Sequence, residues 1–247
     1  YMLREKMNII SLEEVDSTNL YAKQNLYSLE DRTIIVAKNQ TSGRGRFNRS
    51  WVDLGDDNLF MSFVLKPSDT FKDVYANLTQ YISVILVNIL EEYGLAPSIK
   101  WPNDVLIDGK KISGMLSETV MQGNKFKGLV LGIGVNLNAE KSALSLVKDK
   151  KITALNIELE REHVDKKLFF EKLVNQFFKS YDEFLEHGFL LIKNKYINAC
   201  NFLGKEISVQ VFDDKKSGIA KYINDSGELV LQNHKKEEFV LTMGDIL

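Results

Sequence analysis

The chain has 247 residues, of which 44% are hydrophobic and 27% charged, and its formal net charge at pH 7 is −2. These values are typical of a globular protein and disfavour a general nucleic-acid binder, which would carry a strongly basic surface. The single cysteine, Cys200, excludes an intrachain disulfide, and the lack of a secretory leader pattern and of a long uncharged apolar run predicts a cytoplasmic protein without a membrane anchor.

The first part of the chain alternates strand and helix patterns. A helix that runs through Leu26 can be capped by Asp16 or Ser17. Short runs of β-prone residues predict three strands, at 8–12, 33–37 and 58–65. The segment 43–49, rich in glycine and arginine, therefore lies between two strands.

The middle of the chain predicts a core helix followed by an antiparallel meander. Apolar residues recur at helical spacing from Phe71 to Tyr93, and Gly94 follows where a C-terminal cap belongs. Asp108-Gly109 is a strong hairpin signal, and Gly123 marks a second hairpin. The strands expected here lie at 97–99, 105–107, 112–120 and 126–135.

The last part predicts helices and then a small β-domain. A second long helical pattern begins at Asp165 and ends at Gly188, and a shorter one continues to Ala199. Short strands follow, at 206–212, 218–223, 228–232 and 237–242. Helices packed on a mixed, largely antiparallel sheet make an α+β fold, and we place the boundary between a larger domain at 1–199 and a small barrel at 200–247.

The segment from Gly43 to Arg49 reads Gly-Arg-Gly-Arg-Phe-Asn-Arg. Glycine lets the backbone approach a ligand closely, so backbone N–H groups and several guanidinium groups can turn toward one small anion. The pattern is typical of a phosphate or carboxylate site. Taken alone, it is equally consistent with a solvated basic turn or a nucleic-acid tail.

Further along, 100–104 reads Lys-Trp-Pro-Asn-Asp. A plain turn explains the proline, asparagine and aspartate of this motif, but it does not explain the lysine and tryptophan beside them. Two more motifs follow, Lys-Ile-Ser-Gly at 111–114 and Gly-Ile-Gly-Val-Asn at 132–136. The sequence contains neither a P-loop nor a Rossmann fingerprint, and its histidines lack partners at zinc-ligand spacing.

These motifs in this order, with Asp-Ser-Thr-Asn at 16–19, resemble those of the biotin protein ligases over nearly the whole chain. The resemblance implies a catalytic domain like that of class II aminoacyl-tRNA synthetases and an SH3-like C-terminal domain. Members that also repress transcription carry a winged-helix domain before this point, whereas here the first strand starts almost at once. We therefore expect the ligase-only class, without DNA binding, and because Tyr1 precedes Met2 we expect the native chain to start at Met2.

The resemblance also implies the reaction. A free carboxylate cannot acylate an amine at neutral pH, so biotin is first activated with ATP and Mg²⁺ as biotinyl-5′-AMP, with release of pyrophosphate. A lysine of a biotin carboxyl carrier protein domain then attacks the acyl carbon, and AMP leaves. Because the carboxylate and the α-phosphate are both negative, the first step requires cations that neutralise and align them.

The resemblance assigns roles to individual residues. Arg46 and Lys111 would contact the biotin carboxylate and the α-phosphate, and Asp104 is a candidate ligand for a magnesium ion held by the phosphates. Our own hypothesis, beyond the resemblance, is that Asp104 also helps the incoming lysine lose its proton. The residues implied in biotin binding are Ser17, Thr18, Asn19, Gln40, Gly43, Arg44, Gly45, Arg46, Lys111 and Gly114. Those implied in ATP or AMP binding are Arg46, Arg49, Trp51, Asn103, Asp104, Lys111 and Asn136.

Some of these residues have plainer explanations. Ser17 or Thr18 can cap a helix, and Trp51 fits a core position as well as a ligand-packing one. Lys110 competes with Lys111 because alternation along a strand puts the two on opposite faces, and the motif register favours Lys111. The family commonly has glycine at position 48, and Asn48 tolerates the same left-handed conformation.

Two rival functions stay open. Lipoate or octanoate attachment uses a related fold and the same adenylate chemistry with a different pocket. A non-catalytic module, whose C-terminal domain binds a partner and whose arginine segment binds RNA, is disfavoured by the near-neutral charge. Homodimers are common in the family, but no residue decides the oligomeric state, the acceptor, or whether 43–49 is ordered without ligand.

Overall fold

The structure is a computed structural model that describes residues 8–46, 49–51, 54–55, 57–145, 147 and 151–247. Contacts divide the chain into two compact units. Unit one comprises 1–72 and 112–170, and unit two comprises 73–111 and 171–247. Each unit is therefore assembled from two separate stretches of the chain.

The described residues form twelve strands and seven helices. The strands are β1 (Ile9–Val15), β2 (Ile34–Gln40), β3 (Leu59–Leu65), β4 (Pro97–Lys100), β5 (Asp104–Ile107), β6 (Lys110–Gln122), β7 (Lys125–Val135), β8 (Glu206–Val211), β9 (Asp214–Ile223), β10 (Leu229–Gln232), β11 (Glu238–Leu241) and β12 (Asp245–Ile246). The helices are α1 (Thr18–Gln24), α2 (Leu78–Glu92), α3 (Lys141–Ser145), α4 (Leu155–Glu158), α5 (Lys166–Lys179), α6 (Tyr181–His187) and α7 (Phe189–Ala199). None of these helices combines the length and the apolar character needed to cross a membrane.

In unit one the strands lie in the order β1-β2-β3-β7-β6. β1 and β2 are parallel, whereas the other neighbours are antiparallel. The central strand β3 is buried along its whole length, which agrees with its nearly continuous apolar sequence. Helix α1 covers part of the sheet, and its Ala22 packs with Ile35, Val64 and Val130. The predicted mixed, largely antiparallel sheet packed by helices is confirmed.

In unit two the β4–β5 pair is an antiparallel hairpin that leads into a second tight turn. Asp108 and Gly109 both have positive φ, 48° and 72°, as a two-residue hairpin turn requires. The hairpin predicted at these residues is confirmed. Helix α2 is shorter than predicted, because residues 73–77 form a 3-10 turn before it begins.

The prediction of one long helix from Asp165 to Gly188 is wrong in one respect. The chain forms two helices there, α5 and α6. Between them lies Ser180, whose φ of −124° and ψ of 11° are not helical. The Phe177 carbonyl accepts a hydrogen bond from the Tyr81 hydroxyl at 2.5 Å, and Tyr81 also lies 3.0 Å from Ser180 Oγ. The Phe177 carbonyl of α5 therefore accepts a hydrogen bond from a residue outside that helix.

The C-terminal strands form an antiparallel sheet in the order β11-β10-β9-β8-β12. This sheet is consistent with the predicted SH3-like domain. Strand β9 starts at Asp214, so Lys215 and Lys216 pair with β8 instead of lying in the predicted turn, and β12 was not predicted. Unit two also contains 73–111, and the predicted boundary between 199 and 200 stays a prediction.

Candidate active site

The glycine–arginine segment leaves the end of β2 and folds back on itself. The Gly45 N–H donates to the Arg49 carbonyl at 2.7 Å, and Arg44 and Ser50 pair as an isolated β-bridge. The backbone of the segment is therefore held as a small hairpin at its base. The conformation predicted for Asn48 lies outside the described residues.

Gly43 packs this hairpin against the end of β2. The Trp51 N–H donates to the Gly43 carbonyl at 2.8 Å. A Cβ atom at position 43 would lie 3.0 Å from both Gln40 Nε2 and the Trp51 carbonyl, closer than ordinary van der Waals contact. Glycine at this position thus allows Gln40 and Trp51, both predicted ligand residues, to approach the same point of the backbone.

The residues predicted to bind the biotin ring lie together at the start of α1. Ser17 caps this helix, because its Oγ accepts from the Leu20 N–H at 3.4 Å. Gln40 Oε1 accepts from the Thr18 N–H at 2.9 Å, so it satisfies a second free N–H group of the helix start. Ser17 therefore has the plainer role that its residue type suggested, and the structure brings Thr18 and Gln40 into direct contact.

Behind Thr18 lies a buried polar network that sequence reasoning did not find. Ser62 Oγ lies 2.8 Å from Thr18 Oγ1 and 2.6 Å from Asn19 Oδ1. Asn19 Nδ2 donates to the Glu118 carboxylate at 2.9 Å, and Glu118 forms an ion pair with Lys23 at 2.6 Å. The available sequence signal was Ser62, the one polar residue of β3.

Two glycines of β7 leave room for the side chains of Asn19 and Trp51. A Cβ atom at Gly132 would lie 2.2 Å from Asn19 Oδ1, and one at Gly134 would lie 2.6 Å from the Trp51 ring. Neither side chain could keep its place beside an alanine, because real Cβ atoms essentially never make such short contacts. The Gly-Ile-Gly pattern is thus explained by the packing of Asn19 and Trp51 on β7.

The last two predicted site residues of unit one, Gly114 and Asn136, lie close to Gly134. Gly114 pairs with Gly134 across β6 and β7. Asn136, which directly follows β7, is buried, and its Nδ2 donates to the Thr153 carbonyl at 2.9 Å. The Asn136 amide therefore holds a neighbouring loop, and its predicted contact with the nucleotide stays a prediction.

In unit two, Lys111 and Asp104 form an ion pair. Lys111 Nζ lies 2.7 Å from Asp104 Oδ1, and the two side chains are 25% and 21% exposed. Both groups are therefore partly accessible while they hold each other in place. The pair joins two of the three predicted catalytic residues, and the choice of Lys111 over Lys110 stays a prediction.

The tryptophan and proline of the Lys-Trp-Pro-Asn-Asp motif anchor the turn that carries Asn103. The Trp101 side chain is 2% exposed, and its Nε1–H donates to the Gly227 carbonyl at 3.1 Å. The Pro102 carbonyl accepts from the Tyr196 hydroxyl at 3.2 Å. These contacts, both within unit two, explain why a large aromatic residue stands beside a turn.

Besides Trp101, two more side chains hold the turn between β9 and β10. Gln80 Nε2 donates to the Gly227 carbonyl at 2.8 Å, and Asn77 Nδ2 donates to the Ser226 carbonyl at 2.8 Å. Gly227 has a φ of 79°, and a Cβ atom there would lie 2.4 Å from Gln80 Oε1. Sequence reasoning missed these residues because their polar contacts connect distant parts of the chain.

The predicted site residues thus form two groups. In unit one they are Ser17, Thr18, Asn19, Gln40, Gly43, Arg44, Gly45, Arg46, Arg49, Trp51, Gly114 and Asn136, and in unit two they are Asn103, Asp104 and Lys111. The first group offers hydroxyl, amide and guanidinium groups, and the second offers a paired cation and carboxylate. Within the described ranges, no three His, Cys, Asp or Glu side chains come together as a metal site.

Sequence comparisons identify relatives of this chain. Residues 11–136 match the profile of the biotin/lipoate A/B protein ligase family. The bifunctional ligase/repressor BirA of Bacillus subtilis (strain 168) is 30% identical over 204 residues, which cover 82% of this chain and 62% of that protein. A biotin–(acetyl-CoA-carboxylase) ligase of Paracoccus denitrificans is 30% identical over 228 residues, which cover 90% of this chain and 92% of that protein.

A solved structure is similar over almost its full length. The biotin protein ligase from Aquifex aeolicus in complex with biotin and ATP superposes with a TM-score of 0.80 and 28% identity, and the match covers 97% of each chain. The chain spans 62% of the length of the Bacillus relative but 92% of the Paracoccus relative. The chain therefore belongs to the biotin/lipoate A/B protein ligase family and, within it, to the biotin protein ligases.

Proposed function

We propose that this chain is an ATP-dependent biotin protein ligase, which activates biotin as biotinyl-5′-AMP and transfers it to a lysine of a biotin carboxyl carrier protein domain in the cytoplasm. The observation that carries the proposal is the ion pair of Lys111 with Asp104, because it holds the predicted activating cation beside the predicted proton acceptor. The Paracoccus relative, named a biotin–(acetyl-CoA-carboxylase) ligase, and the Aquifex ligase complexed with biotin and ATP support it.

The polar cluster at the start of α1 suits the biotin ring. A ureido ring offers two N–H donors and one strongly accepting carbonyl, so its pocket needs hydroxyl and amide groups on an otherwise apolar wall. The Thr18 N–H and the Thr18 hydroxyl lie 2.9 and 3.2 Å from Gln40 Oε1, and Ser17 is fixed as a helix cap. The three side chains are therefore pre-organised, and binding the ring would order few additional groups.

In the first step a biotin carboxylate oxygen attacks the α-phosphorus of ATP, the new O–P bond forms, and pyrophosphate leaves. Both reactants are negative, so Arg46 and Lys111 would neutralise the carboxylate and α-phosphate, and Arg49 would contact the phosphates. Mg²⁺ supplies further neutralisation of the phosphates. Asp104 and Asn103 offer the oxygen atoms that Mg²⁺ prefers, and one carboxylate fits an ion bound mainly through phosphates.

In the second step the carrier lysine forms a C–N bond with the acyl carbon, and AMP leaves with the bonding electron pair. We propose that the Asp104 carboxylate accepts the amine proton. Asp104→Asn is then expected to slow single-turnover transfer from preformed biotinyl-5′-AMP about a hundredfold, which is the usual size of a general-base contribution. Asp108→Asn is the matched control, because Asp108 is an exposed turn residue with a φ of 48° that asparagine tolerates. Normal transfer by the Asp104 variant would contradict the role.

Biotin-dependent exchange of labelled pyrophosphate into ATP tests the function without the acceptor. Exchange is measured with Mg²⁺ and with biotin, lipoate or octanoate as the acid. We expect exchange with biotin alone. Exchange with lipoate or octanoate instead would assign the chain to the other branch of the family, and a folded protein that exchanges with none of the three acids would refute the proposal.

A further inference from the structure

Ser62 is an unusual residue for its position. It lies in the central strand β3, it has no exposed surface, and every other residue of that strand is apolar. A buried hydroxyl is costly unless it is hydrogen-bonded, so its partners indicate why it is there. Those partners are Asn19 Oδ1, at 2.6 Å, and Thr18 Oγ1, at 2.8 Å.

The neighbours of Asn19 fix the orientation of its amide. Nδ2 lies 3.2 Å from the Leu116 carbonyl and 2.9 Å from a Glu118 carboxylate oxygen. Both are acceptors, so the amide nitrogen must face them and the amide oxygen must face Ser62. Lys23 pairs with the same carboxylate at 2.6 Å and keeps it in place.

Counting protons then decides the direction of the remaining hydrogen bonds. A hydroxyl carries one proton, and an amide oxygen carries none, so the Ser62 proton goes to Asn19. The proton between Ser62 and Thr18 must therefore come from the Thr18 hydroxyl. Gln40 Oε1 is the other acceptor within reach of the Thr18 hydroxyl, but it lies farther away, at 3.2 Å against 2.8 Å for Ser62 Oγ, and it already accepts from the Thr18 N–H at 2.9 Å. Because its proton is used in this way, the Thr18 hydroxyl can take part in a further hydrogen bond only as an acceptor.

We propose that Ser62 is a positioning residue for substrate selection: together with Asn19 and Glu118 it fixes the Thr18 hydroxyl as an acceptor for a ring N–H of the substrate. This inference rests on the proposed function. Biotin carries such N–H groups, whereas lipoate and octanoate have none and would leave the Thr18 oxygen buried without a donor. The network therefore favours a cyclic urea over a plain alkyl or dithiolane acid.

The test compares Ser62→Ala with Ser83→Ala. Ser83 is also a fully buried serine, but it lies in α2 of unit two and donates to the Thr79 carbonyl of the same helix at 2.6 Å. In the Ser62 variant the Thr18 hydroxyl loses this acceptor and turns its proton toward Gln40 Oε1, 3.2 Å away, so its lone pairs no longer keep the orientation that Ser62 sets. We expect the KM for biotin in pyrophosphate exchange to rise about tenfold, as the loss of one oriented hydrogen bond predicts, while the KM for ATP stays within about twofold. The preference for biotin over octanoate should fall in parallel, and Ser83→Ala should change neither value.

The outcomes separate this inference from the function on which it rests. No biotin-dependent exchange by the wild-type chain refutes the proposed function itself. Exchange by the wild type with the same KM for biotin in both serine variants overturns only the role of Ser62. If Ser62→Ala does not fold, Glu118→Ala decides, because this side chain is 22% exposed. It should raise the KM for biotin about threefold above that of Lys23→Ala, through loss of one Asn19 partner, and an equal KM would overturn the inference.

Discussion

At the scale of single residues, the neighbours Lys110 and Lys111 are two lysines of which the motif register predicts only Lys111 to act in catalysis. Both stand at the start of β6, directly after a two-residue turn. Lys111 pairs with Asp104 at 2.7 Å, so its ammonium group is held beside the turn that carries Asn103. Lys110 has no assigned role in this cluster, and it provides a matched control of the same residue type.

We predict that Lys111→Ala lowers the rate of biotin-dependent pyrophosphate exchange at least about a hundredfold, because loss of a placed donor at a reacting centre costs about 3 kcal/mol. Lys110→Ala should stay within about threefold of the wild type. The exchange rate at saturating biotin and ATP gives the comparison, and circular dichroism verifies that both variants are folded. A large loss in the Lys110 variant, with the Lys111 variant active, would reverse the assignment.

The residues that sequence reasoning found and those it missed differ in the distance along the chain to their partners. Ser17 was predictable as a cap because it acts on the Leu20 N–H three positions away. Ser62 and Glu118 were not, because they contact Asn19 across 43 and 99 positions. Motif register predicts Lys111 for another reason: the sequence order of several motifs carries information that a single residue does not.

At the scale of elements, the turn between β9 and β10 supports the turn between β4 and β5 within unit two. Asn224 Oδ1 accepts from the Ser226 and Glu228 N–H groups, each at 3.0 Å, so the first turn is rigid by itself. Its Gly227 carbonyl then accepts from Trp101, next to the Asn103 turn. A change at the β9–β10 turn should therefore reach the predicted nucleotide-binding residues.

We predict that Gly227→Ala destabilises unit two more than Gly204→Ala does. The two glycines have nearly the same φ, 79° and 78°, so alanine pays a similar backbone cost of about 1–2 kcal/mol at either position. A Cβ atom would lie 2.4 Å from Gln80 Oε1 at position 227, whereas it would meet nothing within 4 Å at position 204. Overpacking should add about 1–3 kcal/mol at Gly227.

Urea unfolding followed by tryptophan fluorescence measures this difference in the free energy of unfolding. The Gly227 variant should also show a higher KM for ATP in pyrophosphate exchange, while the Gly204 variant should not. Equal stabilities and equal KM values in the two variants would show that the β9–β10 turn does not support the Asn103 turn.

The elements were predicted well wherever local pattern decides them and poorly where a tertiary contact does. The Asp108-Gly109 turn has two residues with positive φ, and its sequence signal is local. At the break between α5 and α6 the Phe177 carbonyl instead binds Tyr81, which lies 96 positions away along the chain. Burial raises the pKa of the Tyr81 hydroxyl, which keeps the group protonated and able to donate.

At the scale of the whole molecule, the chain passes between the two units at 72/73, 111/112 and 170/171. Sequence reasoning placed one boundary, between 199 and 200, because composition changes there from helical to strand-rich. The contacts of Asn77 and Gln80 with the β9–β10 turn span 149 and 147 positions and have no local signature. A linear reading of the sequence therefore detects the change of pattern but not the segments that complete unit two.

These contacts predict that 200–247 does not unfold ahead of the rest of unit two. Cys200 reports on the boundary because it is 8% exposed, and burial raises the pKa of its thiol, so a thiol reagent should react only after this region opens. Trp101 reports on the contact with Gly227. The substitution Trp51→Phe removes the other of the two tryptophans in the chain.

We expect thiol labelling and Trp101 fluorescence in the Trp51→Phe protein to change at the same urea concentration, because opening of the β9–β10 turn removes the hydrogen-bond acceptor of Trp101. Gly227→Ala should move both transitions to lower urea together, since it weakens the shared contact. If 200–247 were an independently unfolding domain, Cys200 would be labelled at urea concentrations that leave the Trp101 signal native. That outcome would favour the linear boundary at residue 200 over a unit two that unfolds as a whole.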